Sequence, residues 1–219
     1  MAVAAIFDID GTLVALRFDV KGTRKALIEE LARYGYSTSG LDLATPTQKI
    51  LDAAKAQTLP EDDARYEKLR ESVFAILDKF EMESVLSTSP FPGTRETLDH
   101  LKSRGIRIAV LTNSGKKAAL GALRIAGLLD CFEFVLTRDD TVLMKPRPEG
   151  LIMAVSRMGV PKESVYYVGD SPFDIDAARD AGIRMVSVAT GNYSVEMLKS
   201  EGADFAISSI TELRRLLGA

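Results

Sequence analysis

The sequence predicts an α/β protein, a doubly wound parallel sheet interrupted near its start by a helical insert. Three observations predict it. From Gly93 onward, β-rich apolar runs alternate with helix-length stretches. Those stretches close on glycine: Gly105, Gly127, Gly159 and Gly182. Residues from about 17 to 90 break the alternation, with helical periodicity and no convincing strand. Strands joined by helices of this length form crossover units, which require a parallel sheet covered on both faces.

The elements follow in order. Val3–Phe7 is a buried first strand running straight into Asp8. Arg24 to Tyr34 is a helix ended by Gly35, and Thr45-Pro46 places an N-cap before a proline at the first position of a helix reaching about Ala56. Tyr66, Leu69, Val73, Ile76, Leu77 and Phe80 form a one-sided apolar helical stripe, read as local core. Pro90-Phe91-Pro92-Gly93 is a re-entry turn. Helices are then expected at Thr94–Arg104, Lys116–Ala126, Pro148–Met158 and Asp174–Ala181. Strands are expected at Ile106–Leu111, Phe134–Leu136, Val165–Val168, Met185–Val188 and, as a short last one, Phe205–Ile207. The division is therefore 1–16 with 90–219 as an α/β core, and 17–89 as a helical cap. The alternative, helices of one continuous domain, is opposed by the re-entry turn.

Composition narrows the chemistry. The chain has 219 residues, 46% hydrophobic and 27% charged, which are ordinary globular values. Its 28 basic and 31 acidic residues give a net charge of −3, with neither the basic excess nor the basic cluster of a nucleic-acid binder. A single cysteine, Cys131, excludes an intramolecular disulfide framework and a cysteine zinc site, and reads as a small buried apolar residue. A single histidine, His100, excludes mechanisms that need two, and reads as a helix-surface residue. No apolar run approaches the ~20 residues of a membrane span. Nothing suggests export, so the expected location is the cytoplasm.

In open parallel sheets, ligands bind beyond the carboxyl ends of the strands. Asp8-Ile9-Asp10-Gly11-Thr12 follows the first strand, and Thr112-Asn113-Ser114 the second. Lys145-Pro146 comes past a later strand, and Gly169-Asp170-Ser171, with Asp174 four residues on from Asp170, follows Val165–Val168. Four strand ends thus deliver acids, a hydroxyl and an ammonium toward one edge. Three carboxylates, Asp8, Asp10 and Asp170, repel one another, and a small divalent cation compensates them most simply. Mg2+ fits best, since it takes carboxylate and water ligands and bridges to phosphate. Thr112 and Lys145 are expected to hold the oxygens of an anionic substrate, and the Gly11 turn to offer it backbone N–H groups. These are the parts that phosphoryl transfer needs, and a carboxylate can itself be the nucleophile.

Asp8-Ile9-Asp10-Gly11-Thr12-Leu13, Leu111-Thr112-Asn113, Lys145-Pro146-Arg147-Pro148-Glu149 and Gly169-Asp170-Ser171 with Asp174 resemble, in order and strand-end placement, the four motifs of the haloacid dehalogenase superfamily. The Phe91-Pro92-Gly93-Thr94 re-entry and the insert resemble its phosphoglycolate phosphatase-like branch, a Rossmann-like core with a helical cap. The resemblance implies that Asp8 attacks phosphorus and forms an aspartyl-phosphate. Asp10 would protonate the leaving alcohol and then take a proton from water. Thr112 would hydrogen-bond a phosphoryl oxygen, and Lys145 would neutralise Asp8 and the phosphoryl group. Asp170 would bind Mg2+ with Asp8 and the backbone carbonyl of Asp10, and Asp174 would support the metal shell or orient Lys145. Asn113 and Ser114 are candidate phosphate donors. Arg17 and Lys21, at the cap entry, are candidates to meet a substrate carboxylate, against a reading as solvated linker charge. The cap would close over the site and choose the leaving group. After Leu13-Val14 many relatives carry a further acid, where this chain reads Ala15-Leu16-Arg17-Phe18-Asp19.

The expected function is a Mg2+-dependent phosphatase acting on a small phosphorylated metabolite, phosphoglycolate-like or a sugar phosphate, by a monomer or homodimer without nucleic-acid or membrane partners. One alternative is a sugar-phosphate mutase similar to beta-phosphoglucomutase, which passes the phosphoryl group on. Another is a non-catalytic phosphate-binding module, which has no need of the second carboxylate, Asp10. A dehalogenase is disfavoured, because halide departure does not require Asp10.

Overall fold

The computed structural model describes residues 3–15 and 18–217. In chain order the elements are β1 (Ala4–Phe7), β2 (Val14–Ala15), α1 (Val20–Arg33), α2 (Thr47–Ala56), α3 (Asp63–Val85), β3 (Ser89–Pro90), α4 (Thr94–Ser103) and β4 (Arg107–Leu111). There follow α5 (Lys116–Ile125), β5 (Val135–Leu136), α6 (Glu149–Met158), β6 (Val165–Gly169), α7 (Pro172–Ala181), β7 (Arg184–Val188), α8 (Val195–Ser200), β8 (Phe205–Ile207) and α9 (Leu213–Leu216). The chain divides into two compact units, Met1–Leu16 with Val85–Ala219, and Arg17–Ser84.

The larger unit is built on a sheet of order β5-β4-β1-β6-β7-β8, all parallel. Renumbered within the sheet, that order is 3-2-1-4-5-6, the doubly wound arrangement whose switch point lies between the first and fourth strands, here β1 and β6. Strand residues alternate between two cores. Ala5, Phe7, Ile108, Val110, Tyr166 and Val168 pack with Leu98 and Leu101 of α4 and Leu123 of α5. Ala4, Ile6, Ala109, Leu111, Val165 and Tyr167 pack with Leu151 and Ala154 of α6 and Ile175 and Ala178 of α7. Both faces are thus covered, as parallel strands require. The register pairs Phe7 with Val110 on one side and with Val168 on the other. One step further along, Asp8 therefore emerges beside Leu111 and Gly169, and Thr112 and Asp170 follow immediately.

In the smaller unit, Leu27 and Leu31 of α1, Ile50 and Leu51 of α2, and Leu69, Val73 and Leu77 of α3 are buried. Glu30 accepts hydrogen bonds from Arg33 and from Ser72 of α3. Ile76 and Phe80, at the edge of the stripe, are half-buried.

Several local expectations are corrected. Helix α1 begins four residues before Arg24, because Asp19 caps it by accepting from Gly22 N at 2.9 Å. Thr45 does not cap α2. Its hydroxyl instead bonds the Asp42 carboxylate at 2.8 Å and accepts from Asp42 N, closing a turn. Helix α7 opens at Pro172, behind an N-cap at Ser171. A two-residue antiparallel ribbon, Val14 with Pro90 and Ala15 with Ser89, pairs segments in which no strand was expected. Cys131 is a free buried thiol and His100 is half-buried on α4.

Candidate active site

The arrangement is organised by one ammonium. Lys145 lies in the loop before α6, joined to Pro146 by a cis peptide bond, and is 6% exposed. Its Nζ stands 2.9 Å from Asp8 Oδ1, 2.6 Å from Asp174 Oδ1 and 2.8 Å from the Tyr167 hydroxyl. An ammonium has three protons, and each has an acceptor here. Tyr167 closes the triangle by donating to Asp174 Oδ1 at 2.9 Å. Burial alone would push the Lys145 ammonium down, but the charges of Asp174 and Asp8 outweigh it and hold the ammonium protonated.

The loop carrying Lys145 is fastened by the second motif. Asn113 Nδ2 donates to the Lys145 carbonyl at 2.9 Å, and Lys145 N donates back to Asn113 Oδ1 at 2.9 Å. The Asn113 side-chain oxygen and one of its two amide protons are thus taken by the backbone of Lys145. Beneath it lies Arg138, 1% exposed, which donates from Nη1 to the Asn113 carbonyl and from its backbone N to the Ser114 carbonyl. Thr112, buried at the end of β4, accepts from Ser114 N at 3.1 Å.

Asp174 is saturated and 1% exposed. Its Oδ1 takes Lys145 and Tyr167, and its Oδ2 takes the Ser171 amide at 3.1 Å and the Ser171 hydroxyl at 2.6 Å. The Ser171 pair is the capping box of α7. Burial works to raise the Asp174 carboxyl, but the Lys145 charge and these hydrogen bonds win and hold it below the usual carboxylate range. Asp8 is pushed the other way: burial raises its carboxyl to about 6 against the opposing pull of Lys145, with Asp174 adding to the rise. Tyr167 is raised well above an ordinary phenol by burial and by the Asp174 and Asp8 charges.

Asp170 is the unsatisfied member. No hydrogen bond reaches its carboxylate among the described residues. Burial, then the charges of Asp174, Asp8 and Asp10, raise it to about 8. Asp8, Asp170 and Asp174 each place a carboxylate oxygen within 4.8 Å of the others'. Of the four acids expected around a cation, Asp8, Asp170 and Asp174 converge by their carboxylates, and the Asp10 side chain is not among that group. Asp10 is half-buried and its charge acts on Asp170. Asp8 and Asp170 offer hard carboxylate oxygens that fit a small divalent cation such as Mg2+, whereas both oxygens of Asp174 are engaged by Lys145, Tyr167 and Ser171.

Two glycines make room for these acids. A Cβ on Gly169 would stand 2.5 Å from Asp174 Cγ, and one on Gly11 2.2 Å from Asp170 Oδ2. Gly11 also has φ +75°, a conformation glycine alone adopts at no cost. Its N–H donates to the Val14 carbonyl at 2.9 Å, and the Thr12, Leu13 and Val14 amides donate to Ile9. Those amides hold the turn together, so the expected backbone donors from Gly11 onward do not face an anion. Lys21 is exposed on α1, and Arg17 lies outside the described residues.

Sequence reasoning missed Tyr167, Arg138 and the Thr190–Gly191 loop. Thr190 Oγ1 donates to the Gly11 carbonyl at 2.5 Å, and a Cβ on Gly191 would stand 1.8 Å from Asp170 Oδ2. The strand-end rule applied to β7 points to that loop, and a tyrosine in a largely aliphatic layer points to Tyr167.

Residues 3–182 match the model of the haloacid dehalogenase-like hydrolases, and the chain belongs to that family. It is a phosphoric monoester hydrolase. It is similar to the phosphoglycolate phosphatase of Nitrosococcus oceani, 30% identical over 97% of this chain and 95% of that one. The phosphoglycolate phosphatase of Neisseria meningitidis is 31% identical over 96% and 91%. Among solved structures, a haloacid dehalogenase-like hydrolase of Bacteroides fragilis superposes with a TM-score of 0.69 at 26% identity, covering 97% of this chain and 100% of that one. No described helix is long and apolar enough to cross a membrane.

Proposed function

We propose that the chain hydrolyses the phosphomonoester of a small phosphorylated metabolite, with Asp8 as nucleophile. The observation that carries this reading is the 2.9 Å contact between Lys145 Nζ and Asp8 Oδ1 at the switch point of the sheet, inside a cluster of acids. A buried carboxylate held beside a fixed ammonium is oriented, and its negative charge survives burial. Asp8 attacks phosphorus and the P–O bond to the leaving group breaks, with Asp10 giving that oxygen its proton. Water then attacks phosphorus of the aspartyl-phosphate, Asp10 takes its proton, and Asp8 and inorganic phosphate separate. Thr112 donates a hydrogen bond from its hydroxyl to a phosphoryl oxygen. Lys145, whose protons are taken by Asp8, Asp174 and Tyr167, acts on the phosphoryl group through its charge.

Asp8, Asp170 and the Asp10 carbonyl would hold Mg2+, which supplies Lewis-acid charge at the phosphoryl oxygens. Asp174 serves as the anchor of Lys145. The core would comprise 1–16 and 85–219, and the helical unit would be the substrate-selecting cap. The relatives named phosphoglycolate phosphatase support a small carboxylated phosphomonoester as the first substrate to try.

The test is phosphate release from a panel of metabolite phosphates, with and without Mg2+, beside Asp8→Asn. Mg2+-dependent release that drops by at least about 1,000-fold in the variant is expected. An isomerised sugar phosphate without phosphate release would establish a mutase, and no turnover of any ester would sink the enzymatic reading.

A further inference from the structure

We infer that the loop after β7, Thr190–Gly191, is a positioning element of the cation site, fixing the Asp170 carboxylate between itself and the Gly11 turn. This rests on the metal reading above. Asp170 accepts no hydrogen bond among the described residues, so hydrogen bonding does not fix its rotamer there. Packing does. A Cβ at Gly191 and a Cβ at Gly11 would both collide with the same atom, Asp170 Oδ2, at 1.8 and 2.2 Å. The two backbones therefore pinch that oxygen from two sides. Thr190 holds the pinch at its width, since its hydroxyl donates to the Gly11 carbonyl at 2.5 Å and ties the two loops together.

At Gly191 the three nearest atoms to an added Cβ all belong to Asp170, and Gly191 itself is exposed. Its backbone lies outside the left-handed region, so alanine fits there conformationally. An alanine can thus be accommodated only by swinging the Asp170 side chain away. That movement costs the fold little, because no hydrogen bond breaks, and it removes a cation ligand from its place. A cation ligand is useful only when held close to its bonding geometry.

The experiment titrates Mg2+ into the full chain by calorimetry, with the Mg2+-induced rise in Tm as a second readout, for wild type, Gly191→Ala and Thr190→Val. Expected for Gly191→Ala is a metal-free Tm within about 3 °C of wild type, with Mg2+ affinity at least about tenfold weaker. Thr190→Val, which keeps the space and removes only the tie, should weaken Mg2+ about threefold. Wild-type affinity in both variants overturns the inference while leaving the metal reading intact. A wild-type protein that binds no Mg2+ overturns both. If Gly191→Ala fails to fold, Thr190→Val decides: weakened affinity upholds the assignment and unchanged affinity overturns it.

Discussion

Asp174 and Asp170 stand four residues apart at the mouth of one helix, and the chain treats them oppositely. Asp174 has Lys145, Tyr167 and Ser171 on its two oxygens and is held ionised. Asp170 has walls of glycine backbone and three neighbouring acids, and it is driven toward the protonated form. The Asp174 side is complete from the chain's own groups, a rigid support for Lys145 and through it for Asp8. The Asp170 side has no such partners among the described residues.

The largest effect that would break this comparison is on stability. Asp174→Asn leaves the buried Lys145 short of a counter-charge and should cost about 3–5 kcal/mol, with activity lost alongside. Asp170→Asn, by contrast, removes a charge that repels its neighbours, and should raise the Tm of the metal-free protein at pH 8 while abolishing stabilisation by Mg2+. Thermal unfolding of both variants in chelator measures this directly. Equal destabilisation by the two would show that the acids are not different in kind.

The next effect is on pH dependence. The unfolded chain releases the Asp170 proton near 3.8, whereas the folded chain keeps it to about 8. The folded state therefore binds more protons between those values, and this group's contribution to stability falls as pH rises through that window. Asp174 works in reverse: its contribution is present above its unfolded value of 3.8 and is lost as pH falls through its lower folded one. The metal-free Tm should drop between pH 5 and pH 8, and Mg2+ should restore more of it at pH 8 than at pH 5. A Mg2+ increment independent of pH would remove Asp170 from the cation site.

The smallest effect tests the anchored side alone. Tyr167→Phe keeps the ring in its layer and strips one acceptor from Lys145, leaving a buried N–H unpaired at a cost of about 1–3 kcal/mol. Lower kcat with unchanged KM is expected. If the triangle acts as a unit, the same substitution in a Lys145→Met background should cost much less stability, a non-additivity that Tm measurements resolve.

The sheet and the acids were readable because each is written in adjacent residues. Val165–Val168 reads as a strand from four neighbours, and Asp8, Thr112 and Asp170 follow their strands immediately. What escaped depends on residues brought together across long separations. The fastening of the Lys145 backbone by Asn113 joins residues 32 positions apart, and neither motif shows it alone. The Thr190 hydroxyl meets Gly11 across 179 positions. Arg138 sits in a polar run whose charges all suggest solvent, yet its guanidinium is buried against the Asn113 carbonyl. Thr45 offered a capping hydroxyl, and the nearer Asp42 took it.

The ribbon of Val14–Ala15 with Ser89–Pro90 has a consequence for ancestry. Because the chain departs from the sheet unit and returns to it as neighbouring strands, about 5 Å apart, everything between is an excursion fastened at its neck by that unit's own pairing. The entropy of such a closed excursion grows only with the logarithm of its length. The excursion can therefore be lengthened, trimmed or exchanged across generations while Asp8 and Lys145 keep their places in the sheet unit.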